Sequence, residues 1–136
     1  MPITAEKIKQ LVGENPNGVS VDLQSERVLN TKSGDVGFCV AYSATQNNHD
    51  DEGLSNSMTH AQGDSGSGII GAWSHGDVVY YDSVKKYSTR EAAVEAAKKE
   101  DQIAIYNIGT QTVESIKDGE SFNPSLLAQR KRAHSI

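Results

Sequence analysis

The stretch Ile69-Ile70-Gly71-Ala72-Trp73-Ser74-His75-Gly76-Asp77-Val78-Val79-Tyr80-Tyr81-Asp82 decides the fold. It holds two runs rich in β-branched and aromatic residues around a short polar connection containing glycine, the pattern of a β-hairpin. With His75-Gly76 as a two-residue connection, Trp73 falls beside Val78 and Gly71 beside Tyr80 on one face. Ile70, Ala72, Val79 and Tyr81 then share the other. Both faces are apolar, although a sheet covered by helices on one side needs only one such face.

Upstream, Val36 to Thr45 reads as a strand in which Phe38, Val40 and Tyr42 point one way and the small residues Cys39, Ala41 and Ser43 the other. Val19 and Val21 alternate with polar neighbours, as does a short stretch around Val28, so a short strand or two is expected here. Downstream, 103–108 and 112–116 flank Gly109-Thr110, whose leading glycine suits a type II′ turn.

Helical spacing appears in three places. Thr4 is placed to cap a short helix carrying Ile8, Leu11 and Val12 and ending near Gly13. Leu54, Met58 and Ala61 suggest a second over 51–62, capped by Asp50 or Asp51. The strongest is 89–100: Ser88 and Glu91 form a capping box, and its alanine stripe permits close approach to a sheet. The small Cys39/Ala41/Ser43 face is its expected partner.

Strand pairs joined by tight turns, with helices between them, predict an α+β fold. Its sheet is mainly antiparallel, of about five or six strands, with two or three helices packed on one face. Residues 1–120 are expected to form one domain, followed by a disordered basic tail over 121–136.

The full chain of 136 residues is 36% apolar and 23% charged, with a net charge of −5. That is an ordinary globular composition. Residues 1–120 carry ten basic and eighteen acidic side chains, a net charge of −8. This acidity argues against nucleic acid as a partner, because too few cations are present to displace phosphate counterions. No apolar run is long enough to cross a membrane, and no secretory pattern opens the sequence. A single cysteine, Cys39, fits a reducing compartment, so a cytoplasmic location is expected.

Two motifs invite chemistry. Gly63-Asp64-Ser65-Gly66-Ser67-Gly68 is similar to the nucleophile segment of trypsin-like serine proteases, but the supporting two-barrel fold and spread His–Asp–Ser order do not fit this length. His49, His60 and Asp64 are potential metal ligands, yet they form no closed set at a recognised spacing. Acids at 50–52 are explained by a helix start. No phosphate loop or dinucleotide fingerprint is present, and no catalytic residue, metal or cofactor is expected.

Val40-Ala41-Tyr42-Ser43-Ala44-Thr45-Gln46, Glu52-Gly53-Leu54, Gly71-Ala72-Trp73, Tyr81-Asp82, Arg90-Glu91-Ala92 and Gln102-Ile103-Ala104-Ile105-Tyr106 resemble segments of small bacterial proteins associated with prophages, plasmids and other mobile elements. The likeness spans about Val19 to Ile116 and implies a context, not a mechanism. The GDSGSG string ahead of the Trp73 strand departs from the group's pattern.

Two classes of function stand open. The first is a non-catalytic binding protein that engages a host or phage protein through an acidic and aromatic surface, with Trp73 and Tyr80 as its hot spots and Gln46 and His60 as polar neighbours. The second is a small hydrolase using Ser65 or a metal near His49, His60 and Asp64. A pocket near Gln46 and Trp73 that binds a small molecule is a further alternative.

Overall fold

A computed structural model describes residues 4–15, 18–30, 34–45, 48–75 and 77–116. In chain order the elements are α1 (Ala5–Glu14), β1 (Val19–Asp22), β2 (Arg27–Val28), β3 (Phe38–Ala41), α2 (Asp50–Gln62), β4 (Ile69–His75), β5 (Val78–Tyr87), α3 (Arg90–Lys99), β6 (Ala104–Asn107) and β7 (Thr112–Ser115). The strands form one sheet in the order β2-β1-β4-β5-β3-β6-β7, with every pairing antiparallel. The α+β architecture is therefore as expected, but with seven strands instead of five or six. The expected tail, 121–136, lies outside the described residues.

Thr4 caps α1 as anticipated, its Oγ1 accepting from the Lys7 amide at 3.2 Å. At α3 the cap is Thr89 and not Ser88: Thr89 Oγ1 accepts from the Ala92 amide at 3.2 Å. α2 begins after His49, without a side-chain cap. Asp50 instead turns outward, accepting from the Val79 amide at 3.4 Å.

Three further expectations need correction. In the β4–β5 hairpin His75 pairs with Val78, so the connection is 76–77, and Trp73 lies opposite Tyr80 rather than Val78. A slip of one residue in the connection shifts the partner by two, so each side chain keeps its face. In the β6–β7 hairpin Asn107 pairs with Thr112, leaving a four-residue connection in which Gln111, not Gly109, takes a positive φ of 56°. Asn107 Oδ1 steadies this turn by accepting from the Thr110 amide at 3.2 Å. The strand expected over 36–45 is shorter at both ends: β3 begins only at Phe38, and beyond Ala41 the chain turns into a 3-10 segment over Ser43–Thr45. There the Ser43 amide donates to Glu100 and Thr45 Oγ1 donates to the Tyr42 carbonyl.

All three helices pack on one face of the sheet. Ile8 and Val12 of α1 and Leu54 and Ala61 of α2 meet Val21, Ile70 and Tyr81. Ala93 and Ala97 of α3, both fully buried, meet Val40 and Ile105, flanked by Phe38 and Tyr87. The alanine stripe does allow close packing, but its partner is the Val40 side of β3, not the small Cys39/Ala41 side. Register explains why: Val40 pairs with Lys85 and Phe38 with Tyr87, positions that share the parity of Tyr81 and Ile70 on the helical face. Cys39 and Ala41 point to the opposite side.

Near the β2 edge, Arg27 grips Asp35 in a bidentate pair of 2.5 and 3.0 Å, and the Asn30 amide donates to the same carboxylate at 3.1 Å. These contacts, the Arg27 hydrogen bonds foremost, hold the Asp35 carboxyl below its ordinary range. A group whose pKa is depressed by folding stabilises fully above its unfolded value, near 3.9, and loses that contribution as pH falls through the folded value. Asp35→Asn is therefore expected to be less stable than the parent near neutrality. The gap should narrow in thermal melts taken from about pH 6 to about pH 3. A gap that is constant across that range would contradict the pairing.

Candidate functional site

The face turned away from the helices is not flat. The sheet curls over it until Tyr106 of β6 touches Gly18 just ahead of β1, although three strands lie between those two in the sheet. Tyr106 Oη donates to the Gly18 carbonyl at 3.4 Å. Gly18 has φ +138°, and a Cβ there would stand 3.3 Å from the tyrosine ring, so glycine permits both the conformation and the approach. Near one end of the curl Leu29 and Ile108 fold in against Cys39, Ile69 and Val84 and fill the space.

Elsewhere on this face the space is not filled. A half-open cavity of about 70 Å³ remains, smaller than the roughly 150 Å³ that accepts a benzene ring in an enclosed core. Its apolar wall includes Ala41, Val84, Ala104, Val113 and the rings of Trp73 and Tyr106. Small residues on the wall, Ala41 and Ala104, leave it open, whereas the space at Gly71 is taken by Val84, whose Cγ1 a Cβ there would meet at 3.0 Å.

The polar groups are few. Ser20, Asp82 and Gln102 line the cavity together with the Cys39 thiol. Burial pushes Cys39 up to about 11, against a hydrogen bond with Ser20 that acts the other way. Burial likewise pushes the Tyr106 phenol up to about 12. Both are neutral near pH 7. Gln102 is put there by the end of α3: Asp101 adopts φ 55° and the Gln102 amide donates back to the Ala97 carbonyl at 2.8 Å. Gln102 is 5% exposed, and its Nε2 is buried with no hydrogen-bonding partner among the described residues. A buried polar atom left in this state is costly, and Tyr80 Oη shares that state.

The residues singled out in the sequence are divided by the sheet. Trp73 and Tyr80 sit together on the cavity face, stacked with centroids 4.8 Å apart and planes at 24°. Trp73 lines the cavity, whereas Tyr80 is 1% exposed. His60 lies on the helical face, its Nδ1 2.8 Å from Ser83 Oγ and its ring 5.0 Å from that of Tyr42. Gln46 lies outside the described residues.

The GDSGSG string closes the end of α2. The Gly63 amide donates to the His60 carbonyl at 3.1 Å and the Gly68 amide to the Ala61 carbonyl at 2.8 Å. Ser65 is exposed, and Ser67 Oγ meets the Tyr42 hydroxyl at 2.8 Å. Among the described residues no group of three or more His, Cys, Asp or Glu side chains converges in a way that could hold a metal ion.

The sequence did not single out Gln102, Asp82, Tyr106 or Ala104 for this site. A usable sign was present in the small Cys39/Ala41 side of β3, which signalled a close neighbour but equally suits an empty space. No protein-family model matches the chain, nor does any curated protein or solved structure. Among the described residues no helix is long and apolar enough to cross a membrane.

Proposed function

We propose that this protein binds a small molecule in the hollow of its curled sheet. The observation that carries the reading is a half-open hollow with a mostly apolar wall, on which Ser20, Asp82 and Gln102 are the few polar residues. Ligand sites commonly combine apolar walls with a small number of polar groups that fix orientation. The volume suits the compact end of a ligand, with the remainder projecting through the open side of the hollow.

This reading ranks above a protein-docking face built on Trp73 and Tyr80. Among the described residues Val36, at 66%, is the large hydrophobic side chain that stands exposed, whereas the Trp73–Tyr80 stack is half-buried at one ring and buried at the other. A hot spot needs its aromatic anchors accessible to the partner.

The single tryptophan of the chain lies on the cavity wall, so its fluorescence reports occupancy. Titration of the full chain with the compact neutral probe cyclopentanone should change Trp73 emission saturably. Ala104→Phe, which projects a ring into the hollow, should weaken that response by about tenfold or more. Its melting temperature should hold or rise, since filling a void restores lost contacts. Unweakened probe binding by a folded Ala104→Phe would contradict the assignment.

A further inference from the structure

We infer that the hollow takes its ligand by a bare aliphatic end of roughly three or four carbons, while the ligand's oxygen or nitrogen atoms stay in water at the open side. This inference rests on the small-molecule reading above and names the ligand class, a compact amphiphile whose saturated end carries no polar atom.

The wall orients such a molecule by leaving a polar atom no partner inside. Among the described lining residues, Ser20 and Cys39 are buried and hydrogen-bond each other, and Tyr106 Oη donates to the Gly18 carbonyl. Trp73 and Asp82 hold further interactions within the protein. Gln102 Nε2 lacks a partner but is itself buried, so it is not an accessible donor. The main-chain groups of β1, β4 and β5 along the hollow are taken up in antiparallel pairing. An oxygen carried inside would lose its water and find no replacement, which leaves it unsatisfied.

What the wall does present is hydrocarbon. Ala41, Val84, Ala104 and Val113 line the hollow with methyl groups, beside the rings of Trp73 and Tyr106. Its size sets the length of the end that enters. The volume of about 70 Å³ is roughly half of the 150 Å³ that holds a six-carbon ring, enough for an isopropyl group or the far edge of a cyclopentane ring. Because the hollow is half-open, the opposite end of the ligand keeps its hydration.

Cyclopentanone and tetrahydrofuran-3-one share one shape and differ by a ring oxygen on the edge away from the carbonyl. Both are titrated into the full chain, with Trp73 fluorescence for affinity and intermolecular nuclear Overhauser contacts for orientation. Cyclopentanone should bind about tenfold more tightly or more. That ratio should approach the one for transfer of the two probes from water to cyclohexane and exceed the one for octanol, which supplies hydrogen bonds. The ring protons of cyclopentanone farthest from the carbonyl should contact the methyl groups of Ala41 and Ala104. Ala104→Ser, which sets a hydroxyl on the wall, should bring the two affinities closer together.

Equal binding of the two probes by the parent protein, or a ratio no larger than that for octanol, overturns the ligand class and leaves the cavity reading intact. Contacts from the protons beside the carbonyl in place of those opposite it overturn it too. If neither probe perturbs Trp73 in the folded protein, the cavity reading itself fails. Should Ala104→Ser not fold, Ala41→Ser brings the same hydroxyl to the wall, and the orientation of cyclopentanone in the parent protein decides independently of either variant.

Discussion

Gly66→Ala is expected to destabilise the protein by about 3 kcal/mol or more, an effect at the upper end for a single added methyl group. The cause is contact with backbone. A Cβ at position 66 would lie 2.2 Å from the His60 carbonyl oxygen and 2.6 Å from both Cα and the carbonyl oxygen of Ala61. Those atoms belong to the last turn of α2, where Ala61 is buried in the core and also accepts the Gly68 amide. They cannot rotate aside as a side chain could, so either the loop must lift or α2 must fray. Leu23 is tied to the same loop through its amide and the Gly68 carbonyl at 2.8 Å, and the disturbance would reach β1. Urea denaturation should reveal the loss as a lower midpoint at similar slope. A loss well under 1 kcal/mol would mean that 63–68 does not fold back on α2.

Ile70→Ala should cost about 2–5 kcal/mol, the range for truncating a large aliphatic side chain inside a packed core. Ile70 is fully buried, sits in β4 between β1 and β5, opposite Val21 and Ser83, and belongs to the cluster in which α1 and α2 meet the sheet. Its neighbours are held by strands and two helices, so the space left behind would not collapse. Chemical denaturation checks the value, and a cost near zero would mean that this face is not close-packed. The contrast with Ala104→Phe is instructive. Removing bulk from the helical face should be expensive, while adding bulk to the opposite face should be tolerated. A sheet packed equally on both faces would show neither asymmetry.

Much of the fold was legible because it depends on local pattern. Thr4 and the Ile8/Leu11/Val12 spacing suffice for α1, and alternation in 69–82 suffices for a hairpin with the correct faces. What depends on long-range register was not legible. The choice between Val40 and Cys39 as the partner of α3 is set by pairings to β5 and β6, and sequence spacing within β3 is neutral between them. Short edge strands were also undercounted, since β2 contains only two residues, Arg27 and Val28.

The site was less legible than the fold. Trp73 was found because a tryptophan in an amphipathic hairpin is conspicuous. Gln102 was missed because a glutamine between a helix and a strand usually belongs to a solvated turn. Its burial arises from the curl that brings β6 towards β1, a property of the whole sheet. His60 is expected from the sequence as a polar neighbour of Trp73 and Tyr80. The sheet, with side chains alternating through it, puts them on opposite faces.

The location of a bound molecule tests the central claim most directly. Isotope-filtered NMR of the full chain with cyclopentanone should give nuclear Overhauser contacts from the ligand to the methyl groups of Ala41, Ala104 and Val113, which line the hollow. Contacts confined to Val40, Ala92 and Ala96, in the groove between α3 and the sheet, or no intermolecular contacts at a saturating concentration, would contradict a binding site inside the curled sheet.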